Sequence, residues 1–315
     1  MMSGYTLDAV ATKPSPARAA LPELIQLQAG GESLNLAAVR VRVPGAGAHL
    51  SPFKGRGMEF DESRPYQPGD DLRTMDWRVT ARTGKPYTKV FRDERDRPVI
   101  IWLDLRRPMH FATRGVFKAV RAAQAAALVA WSAVANGDRL GGLIFSEREH
   151  VELRPRLGRR AALRLFQAIT RDSLWEPPAA AESDGQADAE HTLARLTRVA
   201  RPGSLIFLLS DFRNLGEQFE RNLRQLAGHC DVFLFHLFDP VEVELPPPGR
   251  YRIHSGSRTV AIDTDSAVAR RRYGVQFQER HALLKGLTRF PSVQLLDCAT
   301  TKEPRTVLAE RFASR

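Results

Sequence analysis

Pro98 to Met109 reads PVIIWLDLRRPM. Val99 to Leu103 is an unbroken apolar run with no polar face, the pattern of a strand covered on both sides by helices. It predicts a central parallel strand that ends at Asp104. In open α/β sheets the ligand crevice lies beyond the carboxyl ends of the strands, near the point where the strand order reverses. Asp104 therefore marks the functional edge. Two later apolar runs, Ser204 to Leu209 and Asp231 to Phe238, stop at Ser210-Asp211 and at Asp239. Several strands thus deliver a carboxylate to their ends, which is the scaffold of a metal site.

Downstream of the central strand, helical and extended patterns alternate. An Ala-rich helix over Gly115 to Ala135 stops at Asn136-Gly137, a sequence suited to the left-handed end of a helix. Arg139 to Phe145 and His150 to Arg154 read as a hairpin, and Gly158 to Arg171 as an amphipathic helix with Leu163, Phe166 and Ile169 inward. Trp175 to Gln186 is a Pro- and Ala-rich surface loop. Helices over Ala189 to Ala200 and Leu215 to Gly228 flank the later buried strands. A small hairpin pairs Arg250 to His254 with Thr259 to Ile262, and a basic helix over Asp265 to Thr288 leads to a last strand, Ser292 to Cys298. Glu303 to Phe312 is a closing helix. The alternation implies an α/β fold with a mostly parallel sheet and helices on both faces.

Upstream, Met1 to Ala20 is polar, carries Pro14 and Pro16, and reads as a disordered tail. Leu21 to Gln28 has the apolar spacing of a short helix, interrupted by Gly30-Gly31, and Ser33 to Val39 reads as a second helical segment. Four Gly and two Pro between Pro44 and Gly57 indicate an extended loop. Tyr87 to Arg92 reads as a strand. The domain division expected is a tail over residues 1–20, an N-terminal extension over 21–97, and the main domain over 98–315.

Composition narrows the function classes. Lys and Arg number 47 against 36 Asp and Glu, a formal net charge of +11, so an anionic partner has to be weighed. The charge is dispersed. Its densest clusters, the four Arg of Arg154 to Arg160 and the run Arg270-Arg271-Arg272, lack the interleaved aromatics of a base-stacking surface. Nucleic-acid binding through the basic helix stays a minor alternative to solvated helix faces. The two cysteines, Cys230 and Cys298, fall at or inside strands and read as buried, reduced thiols. Ala119 to Ala135 is interrupted by Arg121, Gln124 and Ser132, whereas a membrane span needs about 20 mostly apolar residues. Met1 to Ala20 lacks the basic start and apolar core of a signal peptide. The chain reads as cytoplasmic.

The most distinctive segment is Gly55 to Arg82, GRGMEFDESRPYQPGDDLRTMDWRVTAR. Pro68-Gly69 makes a turn, after which Asp70 or Asp71 can cap a short helix with Leu72, Met75 and Val79 on one face. Asp70, Asp71 and Asp76 interleave with Arg64, Arg73, Arg78 and Arg82, and Trp77 sits among them. Two readings stay open: a charged active site, or an ion-pair network that pins the segment onto the domain. The second is favoured, because carboxylates matched by guanidiniums have depressed pKa values and make poor general acids or bases.

Gly55-Arg56-Gly57 to Phe60, Arg64, Tyr66, Gly69-Asp70-Asp71, Arg73, Asp76-Trp77 and Ala81-Arg82 resemble the signature of domain of unknown function family 58. Members of that family are similar to von Willebrand factor A domains, and many are encoded beside MoxR-type AAA+ ATPases. The resemblance runs from about Leu21 to past Asp239. Many relatives carry N-terminal membrane helices; this chain resembles the branch without them.

In von Willebrand A domains a divalent cation is held by an Asp-x-Ser-x-Ser loop, a Thr and a further Asp, all oxygen ligands suited to a hard cation. By that resemblance Asp104 matches the first Asp and Asp211 the last. The two Ser positions hold Arg106 and Pro108, which removes two ligands and adds a positive charge. The metal site is therefore expected to be degenerate, with an ion pair from Asp104 to Arg106 or Arg107 in place of the cation. The resemblance implies a non-enzymatic, protein-binding adaptor that works with a MoxR-type ATPase, and with other von Willebrand factor A proteins, in chaperone-like maturation of other proteins. The basic edge residues Arg106, Arg107, Arg114 and Arg213 are the expected partner contacts. No Gly-x-x-x-x-Gly-Lys-Ser/Thr loop occurs, so ATP hydrolysis has to come from elsewhere. The enzyme alternative is a metal-assisted hydrolase using Asp104, Asp211 and His110. No other cofactor is expected.

Overall fold

The strand Pro98–Asp104 is buried on both faces. Val99, Ile101 and Leu103 enter one apolar cluster, and Ile100 and Trp102 enter a second on the opposite side. In the computed structural model the described residues are 15–36, 58–67, 70, 72–93, 97–176, 186–213, 216–255 and 258–312. In chain order the elements begin with α1 (Leu21–Gln26), α2 (Gln28–Glu32), β1 (Met58–Pro65), α3 (Trp77–Thr83), β2 (Tyr87–Asp93) and β3 (Pro98–Asp104). Next come α4 (Lys118–Ala135), β4 (Arg139–Phe145), β5 (His150–Arg156), α5 (Arg159–Ile169), α6 (Asp172–Trp175), α7 (Gln186–Val199) and β6 (Leu205–Ser210). The chain continues with α8 (Glu217–Ala227), β7 (Asp231–Phe238), α9 (Pro240–Val243), β8 (Arg250–Ser255), β9 (Arg258–Asp263), α10 (Ala267–Leu287), β10 (Val293–Ala299) and α11 (Pro304–Phe312).

Among the described residues, six strands form one sheet in the order β10-β7-β6-β3-β4-β5. Only β5, at one edge, runs antiparallel to its neighbour. The order reverses between β3 and β6, so their carboxyl ends, Asp104 and Ser210-Asp211, flank the crevice of the sheet. This is an α/β arrangement with a mostly parallel sheet and helices on both faces, as the alternation of elements in the sequence implies. One face of the sheet is covered by α1, α4, α5 and α11, the other by α7, α8 and α10.

α4 has no polar face because it lies between the sheet and other helices, α2, α5 and α11 among them. Its few polar side chains find partners: Trp131 Nε1 donates to Leu24 O at 3.0 Å, Ser132 Oγ to Leu34 O at 2.7 Å, and Arg121 Nε to Thr300 O at 3.0 Å. No helix among the described residues is long and apolar enough to cross a membrane. Cys230 and Cys298 are free and buried, and burial pushes both thiols up to about 12.

The structure corrects the domain division. The chain forms two compact units, Met1–Val41 with Pro98–Arg315, and Arg42–Arg97. Residues 21–36 therefore belong with the sheet and not with an extension. Nor is the tail loose up to residue 20: Pro16 O accepts from Phe117 N at 2.8 Å, Arg18 Nη2 donates to Thr170 O at 2.9 Å, and Ala19 is buried. Gly30 and Gly31, expected to break a helix, lie inside α2. A Cβ on Gly31 would stand 2.5 Å from Trp131 Cβ and 2.6 Å from Leu128 O, so glycine is what lets α2 approach α4. Ser33 is a turn and Leu34 a bridge residue before a 3₁₀ residue, Leu36, and residues 37–39 of the expected helical segment fall outside the described residues, as do 1–14, the loop 44–57 and residues 177–185.

In the smaller unit, β1 and β2 pair antiparallel, with a register shift between Phe60 and Glu62. The helix expected after Pro68-Gly69 is a short 3₁₀ turn, Leu72–Thr74, followed by α3. The cap of α3 is Asp76, which accepts from Arg78 N and Val79 N at 3.2 Å each, and not Asp70. Pro68, Gly69 and Asp71 lie outside the described residues.

Candidate functional site

β3 delivers Asp104 fully buried to the crevice, where Arg106 and Ser210 bond its carboxylate. Arg106 donates from its backbone N at 2.9 Å and from Nε at 3.0 Å to Oδ1, and from Nη2 at 2.7 Å to Oδ2. Ser210 Oγ, at the end of β6, donates to Oδ2 at 2.6 Å. The guanidinium meets the carboxylate in a two-pronged ion pair, the strongest geometry available to arginine. Burial disfavours its charge, yet Asp104 above all holds its pKa above the ordinary arginine value.

A second cation fills the space beside β6. Lys118 Nζ lies 2.7 Å from Asp211 Oδ2 and 2.7 Å from Glu242 Oε1, with all three side chains at most 1% exposed. Lys118 is the first residue of α4, where the helix dipole disfavours a cation, so the two carboxylates must offset both that dipole and burial. Burial alone would raise the Asp211 carboxyl, but Lys118, with Arg213, holds it well below the usual carboxylate range. Arg213 adds its backbone N to Asp211 Oδ1 at 3.1 Å and its Nη2 to Glu242 Oε1 at 3.1 Å. Between them Phe212 sits buried at φ 52°, a left-handed backbone that a bulky side chain rarely adopts. Its N–H bonds Ser210 Oγ at 2.9 Å.

Asp239, at the end of β7, is structural as well. It accepts from Thr113 N at 2.8 Å, Thr113 Oγ1 at 2.6 Å and Thr300 Oγ1 at 2.8 Å, and caps α9 through Val241 N at 3.0 Å. Burial opposes its charge, but these bonds hold its carboxyl below the ordinary value.

The expected ion pair in place of a cation is present, and Arg106, not Arg107, makes it. That overturns Arg106 as a partner contact, since its side chain is 1% exposed and spent on Asp104. Arg213 is half-committed to Asp211 and Glu242. Arg107 and Arg114 are exposed on the rim, where Arg107 also donates its backbone N to Glu147 Oε1 at 2.7 Å. His110 is a packing residue: its Nε2 lies 3.0 Å from Leu105 O and its ring meets Trp175 and Phe117 edge-on. In the signature segment, Arg64 Nη2 pairs with Asp70 Oδ1 at 2.7 Å and Ser63 Oγ donates to Asp76 Oδ2 at 2.7 Å. Arg73, Arg82 and Trp77 are exposed, Trp77 at 68%, so the indole is not a buried anchor of this segment.

Lys118 and Glu242 are the residues sequence reasoning missed. Lys118 carried a faint signal, a cation at the start of an Ala-rich helix with few other polar residues; Glu242, in a short Pro-Val-Glu-Val turn, carried none.

A family model described as "Protein of unknown function DUF58" matches residues 62–282. Two mycobacterial proteins, uncharacterised protein Rv1480 of Mycobacterium tuberculosis and uncharacterised protein Mb1516 of Mycobacterium bovis, are each 31% identical over 256 residues, 81% of this chain and 74% of theirs. Among solved structures, BatB of Bacteroides thetaiotaomicron, a conserved hypothetical protein, aligns at 13% identity and a TM-score of 0.39 over 68% of this chain and 96% of its own. An aerotolerance-related membrane protein of Bacteroides fragilis aligns at 14% identity and a TM-score of 0.37 over 61% and 99%. With the family model spanning more than half of the sequence, the chain belongs to the DUF58 family of proteins of unknown function.

Proposed function

We propose that this protein is a non-enzymatic adaptor that binds protein partners at the carboxyl edge of its sheet and acts with a MoxR-type AAA+ ATPase in chaperone-like maturation of other proteins. One observation carries the reading. The carboxylates that could hold an ion or move a proton, Asp104, Asp211 and Glu242, are consumed by Arg106, Lys118 and Arg213, while Arg107 and Arg114 stand exposed around them. A site sealed in this way offers a rigid platform and not a reaction centre. Exposed guanidiniums on its rim suit an acidic partner surface, because they match carboxylates in a fixed fork. Other von Willebrand factor A proteins are further candidate partners. We also read the protein as cytoplasmic, a reading supported by two buried thiols with no disulfide.

The test mixes the purified protein with a MoxR-type ATPase and follows complex formation by size-exclusion chromatography. Arg107→Glu with Arg114→Glu should weaken the complex while the melting temperature stays unchanged, since both side chains are exposed. A complex of undiminished stability would remove the rim from the interface, and no complex at all would remove the ATPase.

A further inference from the structure

A second polar cluster lies away from β3, where β7, β10 and α10 meet. His236 and Asp297 are register partners on adjacent parallel strands, and His281 reaches them from α10. Asp297 bridges the two rings: His236 Nδ1 is 2.8 Å from Oδ1 and His281 Nε2 is 2.9 Å from Oδ2. One ligand atom from each of the three lies within 4.8 Å of the others. Each histidine is held by an aromatic neighbour on its own element. Phe238, two residues along the strand, stacks on His236 at 5.5 Å, and Phe277, one helical turn back, stacks on His281 at 5.8 Å.

We propose that His236, Asp297 and His281 form a binding site for a divalent transition-metal ion, for which zinc is the natural probe. Two imidazole nitrogens and one carboxylate oxygen are the donor set of three-ligand zinc sites, which keep a further position open. The same set is poorly suited to magnesium or calcium, which take oxygen ligands. Three separate elements hold the donors, so the site is built by the fold and not by a flexible loop. The Nδ1 proton of the buried His236 ring bonds Asp297 while its Nε2 has no hydrogen-bond partner, so an ion seated between Nδ1 and Asp297 takes the Nδ1 lone pair in exchange for that one bond, with the ring proton moved to Nε2. The aromatic wall makes the inner side dry. On the outer side the His281 and Asp297 side chains are 23% and 38% exposed, which gives an ion an entry path and leaves room for a water in the open position.

The experiment titrates the metal-stripped protein with zinc alone by calorimetry and counts bound zinc after desalting. The expected result is one zinc per chain, with His281→Ala and Asp297→Asn each weakening binding by at least ~10-fold, while His191→Ala, which removes an exposed histidine elsewhere, has no effect. Cobalt substitution checks the donors by its visible absorption, which should vanish in the same two variants. Both residues are partly exposed, and circular dichroism confirms that the variants fold. No stoichiometric zinc, or zinc binding unchanged in both variants, would overturn the site and leave the trio as a hydrogen-bonded clasp between strand and helix.

Discussion

Lys118 Nζ and Asp211 Oδ2 lie 2.7 Å apart in a fully buried ion pair that joins residues 93 positions apart in the chain. The ammonium, shared with Glu242, stands among the carboxylates at the crevice of the sheet. Removing it leaves two buried negative charges to Arg213 and, 3.8 Å from Glu242, Arg280. Lys118→Met should therefore destabilise the protein by about 3–5 kcal/mol, read as a lower urea midpoint with unchanged slope. A loss under ~1 kcal/mol would mean the pocket admits water and the pair is screened.

Arg106 leads to a second expectation. Its guanidinium covers both oxygens of Asp104, and the Arg106 and Pro108 positions supply no oxygen ligand. Calorimetry with magnesium and with calcium should show no saturable heat. A one-to-one signal that disappears in Asp104→Asn would show that the arginine yields to a cation.

The depressed carboxyls of Asp211 and Asp239 make stability depend on acid. Their folded pKa values lie below those of the unfolded chain, so the unfolded state binds more protons as pH falls. The stabilisation is complete above the unfolded value of about 4 and is lost as pH drops through the folded values. Asp239→Asn should lower stability at neutral pH but flatten the fall below about pH 4, measured as urea midpoints across that range.

Trp77 and Asp76, adjacent in sequence, should behave differently. Trp77 is 68% exposed, so Trp77→Ala should change stability by no more than ~0.5 kcal/mol. Asp76 caps α3 and accepts from Ser63, so Asp76→Ala should lower the melting temperature more than Trp77→Ala does. The reverse order would assign Trp77 to a packing contact. If Trp77→Ala left stability alone but abolished association with a partner, the exposed indole would be a contact residue.

Gly31 tests whether residues 28–32 belong to the sheet unit. Gly31→Ala puts a methyl group against Trp131 Cβ and the Leu128 carbonyl, neither of which can swing away. A loss of about 1–3 kcal/mol is expected by thermal or urea unfolding, although alanine is the better helix former. An unchanged or raised stability would mean that α2 is not seated on α4.

The sequence alone determined the sheet, the covered strand at Val99 to Leu103 and the edge marked by Asp104, because apolar periodicity belongs to contiguous residues and reports burial directly. It also placed Arg106 and Pro108, which carry no side-chain oxygen, two and four positions after Asp104, a fact that can be read without knowing any neighbour. Which of two adjacent arginines turns inward was decided by the backbone: a 3₁₀ turn over Arg107–Met109 leaves Arg106 against Asp104 and Arg107 at the surface. The ammonium that meets Asp211, the seat of α2 on α4 and the joining of His236, Asp297 and His281 were decided only by tertiary structure. Each depends on distances between elements far apart in the chain, and an ion pair or a close helix contact is set by those distances, which no local pattern encodes.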